Sequence, residues 1–184
     1  MTVAISLLRA VNVGGHNKIK MEALRTLYES IGLAKATTYI QSGNVVFRTK
    51  GPGIAALAAR IEKAIEASFG FRPDVMVRTA AELRDVIARN PFASRVGIDP
   101  GKLLVSFLGD KPTPKACEAA LAIPANPEEF RVSGRELYIY FPNGAGKSKL
   151  PIGRIEKALG TSGTGRNWNT VTKLLELAEE LERA

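Results

Sequence analysis

One order of secondary-structure elements, β-α-β-β-α-β, fits the first 78 residues and constrains the fold more than any other feature of this sequence. An almost unbroken apolar run at residues 2–8 predicts a strand, and apolar residues spaced near 3.6 predict helices at 21–31 and 54–69. β-Branched and aromatic segments on either side of Ser42-Gly43 predict a hairpin, and residues 73–78 predict a closing strand. This is the order of a ferredoxin-like, or split-βαβ, unit.

The second half of the sequence repeats most of this order. The same patterns predict a strand at 102–108, a short helix at 113–122, a strand pair at 130–132 and 136–141, and a helix at 149–159. No fourth strand is evident, so this half is predicted to be a degenerate copy. Short echoes at matching places favour a duplication, although four-residue matches also occur by chance.

We therefore predict an α+β fold of two similar ferredoxin-like (βαββαβ-type) halves, the second degenerate, plus a C-terminal helix. The first half is assigned to residues 1–79. Residues 80–184 hold a connecting helix at 79–89, the second half, and a last helix from about Thr170 to the end. Gly51-Pro52-Gly53 is predicted to be a turn before the second helix.

The charge and cysteine content limit the partners and the compartment. A net charge of +8 with a pI near 9.8 favours anionic partners, which are phosphates, nucleotides or nucleic acid. No apolar run approaches the roughly 20 residues that span a bilayer, so no membrane partner is expected. The single cysteine, Cys117, excludes an internal disulfide and fits a cytoplasmic protein without a signal peptide. The oligomeric state is left open.

Several enzyme classes lack their residues. One histidine, His16, and one cysteine cannot form an ordinary zinc site, and no serine lies in a nucleophile elbow. A dinucleotide fingerprint is missing, and Gly146-Lys147-Ser148 ends a P-loop pattern that requires glycine where Phe141 stands. We therefore predict no metal and no cofactor. The segment 142–149 remains either a loose anion-binding turn or a flexible basic loop.

Basic residues precede three predicted helices, where acidic residues are the usual choice. Lys18 and Lys20 stand before the first helix, Lys147 and Lys149 before another, and Arg166 before the last. Each placement costs about 0.3–1 kcal/mol unless an anion is near, because helix N-termini carry partial positive charge. An external anion would remove that cost; alternatively, the lysines extend into solvent.

Asparagines beside these bases have an ordinary structural explanation. Asn17 is a predicted cap for the helix near Lys18, and Asn167 or Asn169 for the last helix. Trp168 either anchors that helix in the core or stacks on a base or sugar.

Four motifs stand out in the sequence: R-x-x-N-V-G-G-H-N-K at 9–18, Y-I-Q-S-G-N-V-V-F at 39–47, G-A-G-K-S-K-L at 144–150 and G-T-x-R-N-W-N-T-V at 163–171. Together they resemble the bacterial domain-of-unknown-function family 1697. The resemblance runs nearly end to end. It implies a compact α+β protein of two similar ferredoxin-like halves, and it implies no activity, substrate or catalytic residue.

The leading hypothesis is a protein that binds an anionic small molecule or nucleic acid. The candidate contacts are polar, basic or aromatic residues of the motif loops: Arg9, Asn12, His16, Asn17, Lys18, Gln41, Ser42, Asn44, Lys147, Ser148, Lys149, Arg166, Asn167 and Trp168. In an enzyme alternative, His16 is the general acid or base and Arg9 or Lys18 stabilises negative charge. In a third alternative, the motifs are structural elements of a protein-interaction module.

Overall fold

The computed structural model describes residues 1–50 and 53–184, so Gly51 and Pro52 of the predicted turn lie outside the described residues. These residues form an α+β fold with two four-stranded antiparallel sheets and six α-helices. The chain divides into a first unit, Met1–Asp85 with Lys173–Ala184, and a second unit, Val86–Thr172. In the described part of the chain, no helix has the length and apolar character needed to cross a membrane.

The first unit has the predicted element order β-α-β-β-α-β. Its strands lie in the order β2-β3-β1-β4, and each neighbouring pair is antiparallel. The elements are β1 (Thr2–Leu8), α1 (Met21–Ser30), β2 (Ala34–Tyr39), β3 (Asn44–Thr49), α2 (Ile54–Phe69) and β4 (Val75–Thr79).

The second unit follows a connecting helix, α3 (Ala80–Ala88), and has the same element order. Its strands lie in the order β6-β7-β5-β8, again with antiparallel neighbours. The elements are β5 (Leu103–Leu108), α4 (Pro114–Leu121), β6 (Glu129–Ser133), β7 (Glu136–Tyr140), α5 (Ile152–Leu159) and β8 (Gly163–Asn167), with short 3-10 helices at Pro100–Lys102 and Ala145–Lys147. The last helix, α6 (Trp168–Arg183), begins in this unit, and its residues from Lys173 onward belong to the first unit.

The central strands of the two sheets have matching registers. Ile5 on β1 faces Val46 on one side and Arg78 on the other. Val105 on β5 likewise lies between Tyr138 and Arg166. Both arginines are buried, with exposed fractions of 1% for Arg78 and 6% for Arg166. The two units therefore share strand order, register and a buried arginine at the same sheet position.

The prediction of a degenerate second half is wrong in one element, because β8 supplies the fourth strand. The sequence Gly-Thr-Gly-Arg-Asn lacks the β-branched and aromatic residues by which strands are recognised. Gly163 is required there by a close approach: a Cβ at this position would lie 2.4 Å from the Ser106 Oγ atom. The backbone of β8 thus packs where a larger residue would clash.

Two helices begin at positions other than those predicted. α5 starts at Ile152, after Lys149, because Pro151 steers the preceding residue out of the helical region and itself occupies the N-cap. α6 starts at Trp168, directly after β8. The predicted connecting helix, α3, begins with a reciprocal capping box: the Thr79 N–H donates to Glu82 Oε2 (2.8 Å) and the Glu82 N–H donates to Thr79 Oγ1 (3.1 Å).

Helices α1 and α2 contribute to the core on one face of the first sheet. Buried apolar residues of the strands and helices form one cluster, which includes Ala4, Phe47, Leu24, Ile61 and Ile65. Burial of each large aliphatic side chain contributes about 1.5–3 kcal/mol relative to exposure. This core fixes the ends of β1 and β3 and the start of α1, from which the loops described next extend.

Candidate functional site

Two loops of the first unit meet beside the end of β1. They are the β1–α1 loop (residues 9–20) and the β2–β3 turn (residues 40–43). The Asn12 side chain joins them: its Nδ2 donates to the carbonyls of Ile19 (3.0 Å) and Gln41 (2.9 Å). Its Oδ1 accepts from the Ile19 N–H at 2.8 Å. Asn12 therefore acts as a scaffold residue, and both N–H donors of its side-chain amide are used.

Asn17 closes the β1–α1 loop rather than capping the helix. The Asn17 Nδ2 donates to the backbone carbonyl of Ala10 at 3.2 Å, and the backbone carbonyl of Asn17 accepts from the Asn12 N–H at 3.2 Å. The prediction that Asn17 caps α1 is wrong, because α1 starts at Met21 with Lys20 at the N-cap and no side-chain cap bond. The helix start is held instead by apolar packing, since Ile19 and Leu24, one residue before the N-cap and four after it, belong to the same core cluster.

The β2–β3 turn is built around Gly43 and Asn44. Gly43 has φ of 75°, and its carbonyl accepts from the Leu8 N–H at 3.0 Å. Asn44 is fully buried and donates from Nδ2 to the Tyr39 carbonyl (3.0 Å) and to Ser42 Oγ (3.1 Å). Of the predicted ligand contacts, Ser42 and Asn44 therefore have internal structural partners.

Backbone strain is concentrated in these two loops. Among the described residues, five other than glycine have positive φ, and four of them are Ala10, Asn12, Asn17 and Ile40. The left-handed conformation costs roughly 1–2 kcal/mol for an ordinary residue and is least favourable for a β-branched one such as Ile40. Such strain is typical of segments held in a required shape at functional sites.

A cleft of about 560 Å³ lies between these loops and the start of α1. Its lining is mainly apolar, and the residues that line it are Asn12, Gly15, Lys18, Ile19, Lys20 and Gln41. Both lysines are exposed, whereas the Ile19 side chain is buried. None of the described residues that line the cleft is acidic. The cleft therefore combines an apolar wall with two cations.

Arg9 and His16 do not line this cleft. Arg9 pairs with Asp74, with 3.4 Å between Nη1 and Oδ2, and its backbone N–H donates to the Asp74 carbonyl at 2.9 Å. His16 is exposed at the tip of the loop, where its N–H donates to the Val13 carbonyl at 3.1 Å. Within the described ranges, its ring makes no hydrogen bond or ion pair with a carboxylate. The geometry thus provides no acid–base partner for His16.

The Lys147 loop of the second unit is a closed turn. Lys147 ends a single 3-10 turn, in which its N–H donates to the Gly144 carbonyl (3.2 Å) and the Ser148 N–H donates to the Ala145 carbonyl (3.1 Å). Ser148 Oγ accepts from the Leu150 N–H at 3.0 Å. These amides are occupied within the loop, so they do not form a phosphate-binding nest. Lys147 and Lys149 are exposed and lie before α5, outside its first turn.

The prediction of Arg166 as a base at a helix start is wrong. Arg166 lies in β8, and its Nη1 donates to Thr164 Oγ1 (2.7 Å) and to the Gly165 carbonyl (2.9 Å). Burial lowers the pKa of Arg166 to about 10, which leaves the guanidinium charged at neutral pH. Arg166 therefore leaves the pattern of basic helix starts, and among the remaining lysines only Lys20 occupies an N-cap, that of α1.

The residues that follow Arg166 have structural roles. Asn167 Oδ1 accepts from the Asn169 N–H (3.0 Å), which confirms the predicted cap of α6, and Asn167 Nδ2 donates to the Gly101 carbonyl (2.8 Å). Trp168 is half-buried as the first residue of α6.

Three of the residues that line the cleft, Gly15, Ile19 and Lys20, were not among the predicted ligand contacts. The available signal was the alternation Lys18-Ile19-Lys20, which places an apolar residue between two bases immediately before a helix. In the part of the chain that the structure describes, no three His, Cys, Asp or Glu residues are grouped as metal ligands.

Comparisons with known proteins agree with this architecture. Residues 1–138 match the family model described as "Protein of unknown function (DUF1697)", which confirms the predicted family; the motifs at 144–150 and 163–171 lie outside the matched residues. No curated protein matches the chain. A solved structure, the conserved bacterial protein SP0830 from Streptococcus pneumoniae, is similar with a TM-score of 0.75 and 22% identity, over 96% of this chain and 98% of that one. At this identity the similarity concerns the fold alone.

Proposed function

Because the chain belongs to DUF1697, a family of unknown function, we propose a function from the geometry of its first unit. The unit binds a phosphate-bearing anionic ligand in the cleft between the β1–α1 loop and the β2–β3 turn. The observation that carries this proposal is the pairing of Lys18 and Lys20 on a cleft of about 560 Å³ with no acidic residue among its described lining.

Both lysines are available to a ligand. Neither Lys18 nor Lys20 forms an ion pair within the described residues, and both are exposed. Lys20 also occupies the N-cap of α1, where the backbone N–H groups of the first turn favour an anion. A net charge of +8 increases the rate of encounter with anions and makes it sensitive to salt.

Hydrogen bonds within the protein hold the two loops together. Asn12 fixes the distance between the Ile19 and Gln41 backbones, so the cleft wall is held by three hydrogen bonds from one side chain. Preorganisation of this kind reduces the entropic cost of binding. The strained backbone at Asn12 and Ile40 is consistent with loops whose shape serves a ligand.

Binding is favoured over acid–base catalysis and over a purely structural role. His16 has no carboxylate partner among the described residues, which removes the main support for general acid–base chemistry. Unlike Arg166, which is buried and hydrogen-bonded within β8, the side chains of Lys18 and Lys20 make no hydrogen bond or ion pair with the described residues. A cleft of about 560 Å³ suits a small ligand better than a nucleic-acid strand.

We also propose that residues 1–79 and 80–184 hold two ferredoxin-like repeats that arose by duplication. The support is their common element order, their common strand order and the matched registers around Ile5 and Val105. The single cysteine, Cys117, supports a cytoplasmic location for the protein.

Titration calorimetry with pyrophosphate tests the binding function. We expect binding to the wild-type protein that weakens with added salt, and a loss of affinity of at least about tenfold in the Lys18→Ala/Lys20→Ala double variant. Lys63→Ala, which removes an exposed lysine of α2, is the matched control and should bind like the wild type. The proposal fails if the double variant and the control bind pyrophosphate equally, or if the wild type binds none.

A further inference from the structure

We propose that the ligand of this cleft is a nucleoside phosphate, whose phosphate contacts Lys18 and Lys20 and whose base packs on the apolar wall. This inference rests on the proposed function and specifies its ligand class. An inorganic anion would use only the two lysines. The rest of the cleft surface has three properties that the binding of an inorganic anion would not use.

The first property is the apolar lining. Ile19 lines the cleft but is only 3% exposed, so the apolar surface open to a ligand comes mainly from the aliphatic stems of the two flanking lysines. Gly15 lines the same cleft, and nothing lies within 4 Å of the position its Cβ would occupy. A planar ring can therefore approach the Gly15 backbone more closely than it could approach a residue with a side chain.

The second property is exposed apolar side chains in both loops. Val13 is 63% exposed and Ile40 is 49% exposed, and each directly adjoins a residue that lines the cleft, Asn12 or Gln41. Ile40 also has φ of 50°, which is strained for a β-branched residue. An isoleucine that is both exposed and strained contributes little to folding. Contact with an apolar part of a ligand gives it a role.

The third property is an unoccupied amide. The Gln41 side chain is exposed and makes no hydrogen bond with the described residues, although its backbone carbonyl accepts from Asn12. A glutamine amide offers both a donor and an acceptor, which matches the polar edge of a base or the hydroxyls of a ribose. Asn12, by contrast, has no free donor left.

The size of the cleft agrees with these properties. Its volume of about 560 Å³ lies within the range of about 300–1,000 Å³ usual for small-molecule sites. A nucleoside phosphate supplies an anionic end, a planar apolar face and a hydrogen-bonding edge in one molecule. Pyrophosphate lacks the second and third parts, and an unphosphorylated nucleoside lacks the first.

Calorimetric titrations with ADP, adenosine and pyrophosphate, and with GDP, CDP and UDP, test the inference on the full chain. We expect at least one nucleoside diphosphate to bind about tenfold or more tightly than pyrophosphate, and adenosine to bind more weakly than ADP. Gln41→Ala should weaken the preferred nucleotide about fivefold or more and leave pyrophosphate binding unchanged.

Ile40→Asn separates ligand binding from folding. Asparagine adopts the left-handed conformation more readily than isoleucine, so the variant should melt at or above the wild-type temperature. We nevertheless expect it to bind the preferred nucleotide about fivefold more weakly and to bind pyrophosphate normally.

The outcomes distinguish the inference from the proposed function. If pyrophosphate binds in a Lys18- and Lys20-dependent manner and no nucleotide binds more tightly, the nucleoside inference is overturned and the anion site stands. Wild-type nucleotide affinity in both Ile40→Asn and Gln41→Ala also overturns it. Tighter lysine-dependent binding of an oligonucleotide than of any mononucleotide overturns it in favour of nucleic acid. If the wild type binds none of these anions, both proposals fail.

Discussion

Gly43, in the β2–β3 turn of the candidate site, has no room for a side chain. Its φ of 75° places it in the left-handed region, and a Cβ there would lie 2.8 Å from the Leu8 Cβ atom. The same residue accepts the hydrogen bond from the Leu8 N–H that joins the β2–β3 turn to the end of β1. A change at Gly43 therefore disturbs the contact between strand and turn on which the cleft depends.

Gly43→Ala is expected to lower the free energy of unfolding by about 2–4 kcal/mol, because backbone strain and a steric clash with Leu8 add together. The clash involves two Cβ atoms. Neither can rotate away, so relief requires the backbone to move. Urea denaturation followed by circular dichroism measures the change.

Gly32→Ala is the matched control for this prediction. Gly32 has φ of 78°, but nothing lies within 4 Å of its Cβ position, so the variant carries the strain without the clash. We expect a loss of about 1–2 kcal/mol. Equal losses in the two variants would show that the contact with Leu8 is unimportant.

At the same scale, the sequence indicated part of the candidate site. Asn12, Lys18 and Gln41 were predicted as ligand contacts from their motifs, and all three line one cleft in the structure. Ile19 was missed because its burial depends on packing with residues far along the chain. The hydrogen bond from Asn12 to the Gln41 carbonyl crosses 29 residues, and no local pattern encodes such a partner. The role of Gln41 in binding stays a prediction.

At the scale of elements, hydrophobic periodicity was sufficient to predict the type and bounds of an element where the segment is long and amphipathic. The helix predicted at 54–69 has those bounds in the structure. Periodicity failed for β8, which has five residues, two of them glycines, and is defined by pairing with β5. Because β8 was not predicted, Arg166 was assigned to a helix start, whereas it lies inside this strand.

Two tyrosine hydroxyls connect helices with strands in the two units. Tyr28 on α1 and Ser6 on β1 share a hydrogen bond of 2.8 Å. Tyr138 on β7 donates to the Val86 carbonyl on α3 at 2.7 Å. Burial raises the pKa of Tyr138 to about 12 and raises the pKa of Tyr28 further. Both side chains thus remain protonated in the folded protein at pH values that ionise them in the unfolded chain.

The protein should therefore lose stability above pH 10, the ordinary pKa of tyrosine. The folded state then binds more protons than the unfolded state, so the free energy of unfolding falls as pH rises. Each tyrosine contributes up to about 1.4 kcal/mol per pH unit until its folded pKa is reached. Urea denaturation between pH 9 and 12 measures the slope.

Tyr28→Phe and Tyr138→Phe should each flatten that slope. Measurements at pH 7 separate this effect from the loss of the hydrogen bond, which costs about 0.5–1.5 kcal/mol at any pH. An unchanged alkaline slope in the double variant would contradict the role assigned to these tyrosines.

At the scale of the whole molecule, the C-terminal helix does not follow the sequence division into halves. The sequence grouped it with residues 80–184, whereas residues 173–184 belong with the first unit. Arg48 on β3 donates from Nη2 to the Leu181 carbonyl near the end of α6. Arg84 on α3 pairs with Glu179, 2.9 Å from its Nε, and with Glu182. Contacts between residues so far apart in sequence leave no local signal. The amphipathic pattern therefore predicted that α6 is a helix, and it did not predict that the end of α6 packs in the first unit.

Deletion of residues 173–184 should therefore destabilise the first unit more than the second. The deletion removes the buried residues Leu174 and Ala178 and the carbonyl that accepts from Arg48. It also removes Leu177 and Leu181, which border a groove with Thr37 and Val46. Because a sheet face that loses apolar cover exposes its strands to water, we expect faster amide hydrogen exchange at 34–49 than at 103–108. Hydrogen-exchange mass spectrometry of the full chain and the shortened chain measures the difference.

Lys173→Ala is the control for this deletion, since it removes only an exposed pair with Glu176 in the same segment. Its exchange pattern should match that of the wild type. An equal rise in exchange at 34–49 and 103–108 in the shortened chain would show that the two units unfold as one cooperative body. No rise at either segment would show that α6 contributes little beyond its own helix. Faster exchange at 34–49 than at 103–108 is expected only if the end of α6 stabilises the sheet of the first unit. Because the candidate cleft lies at the end of that sheet, shortening α6 should also weaken pyrophosphate binding.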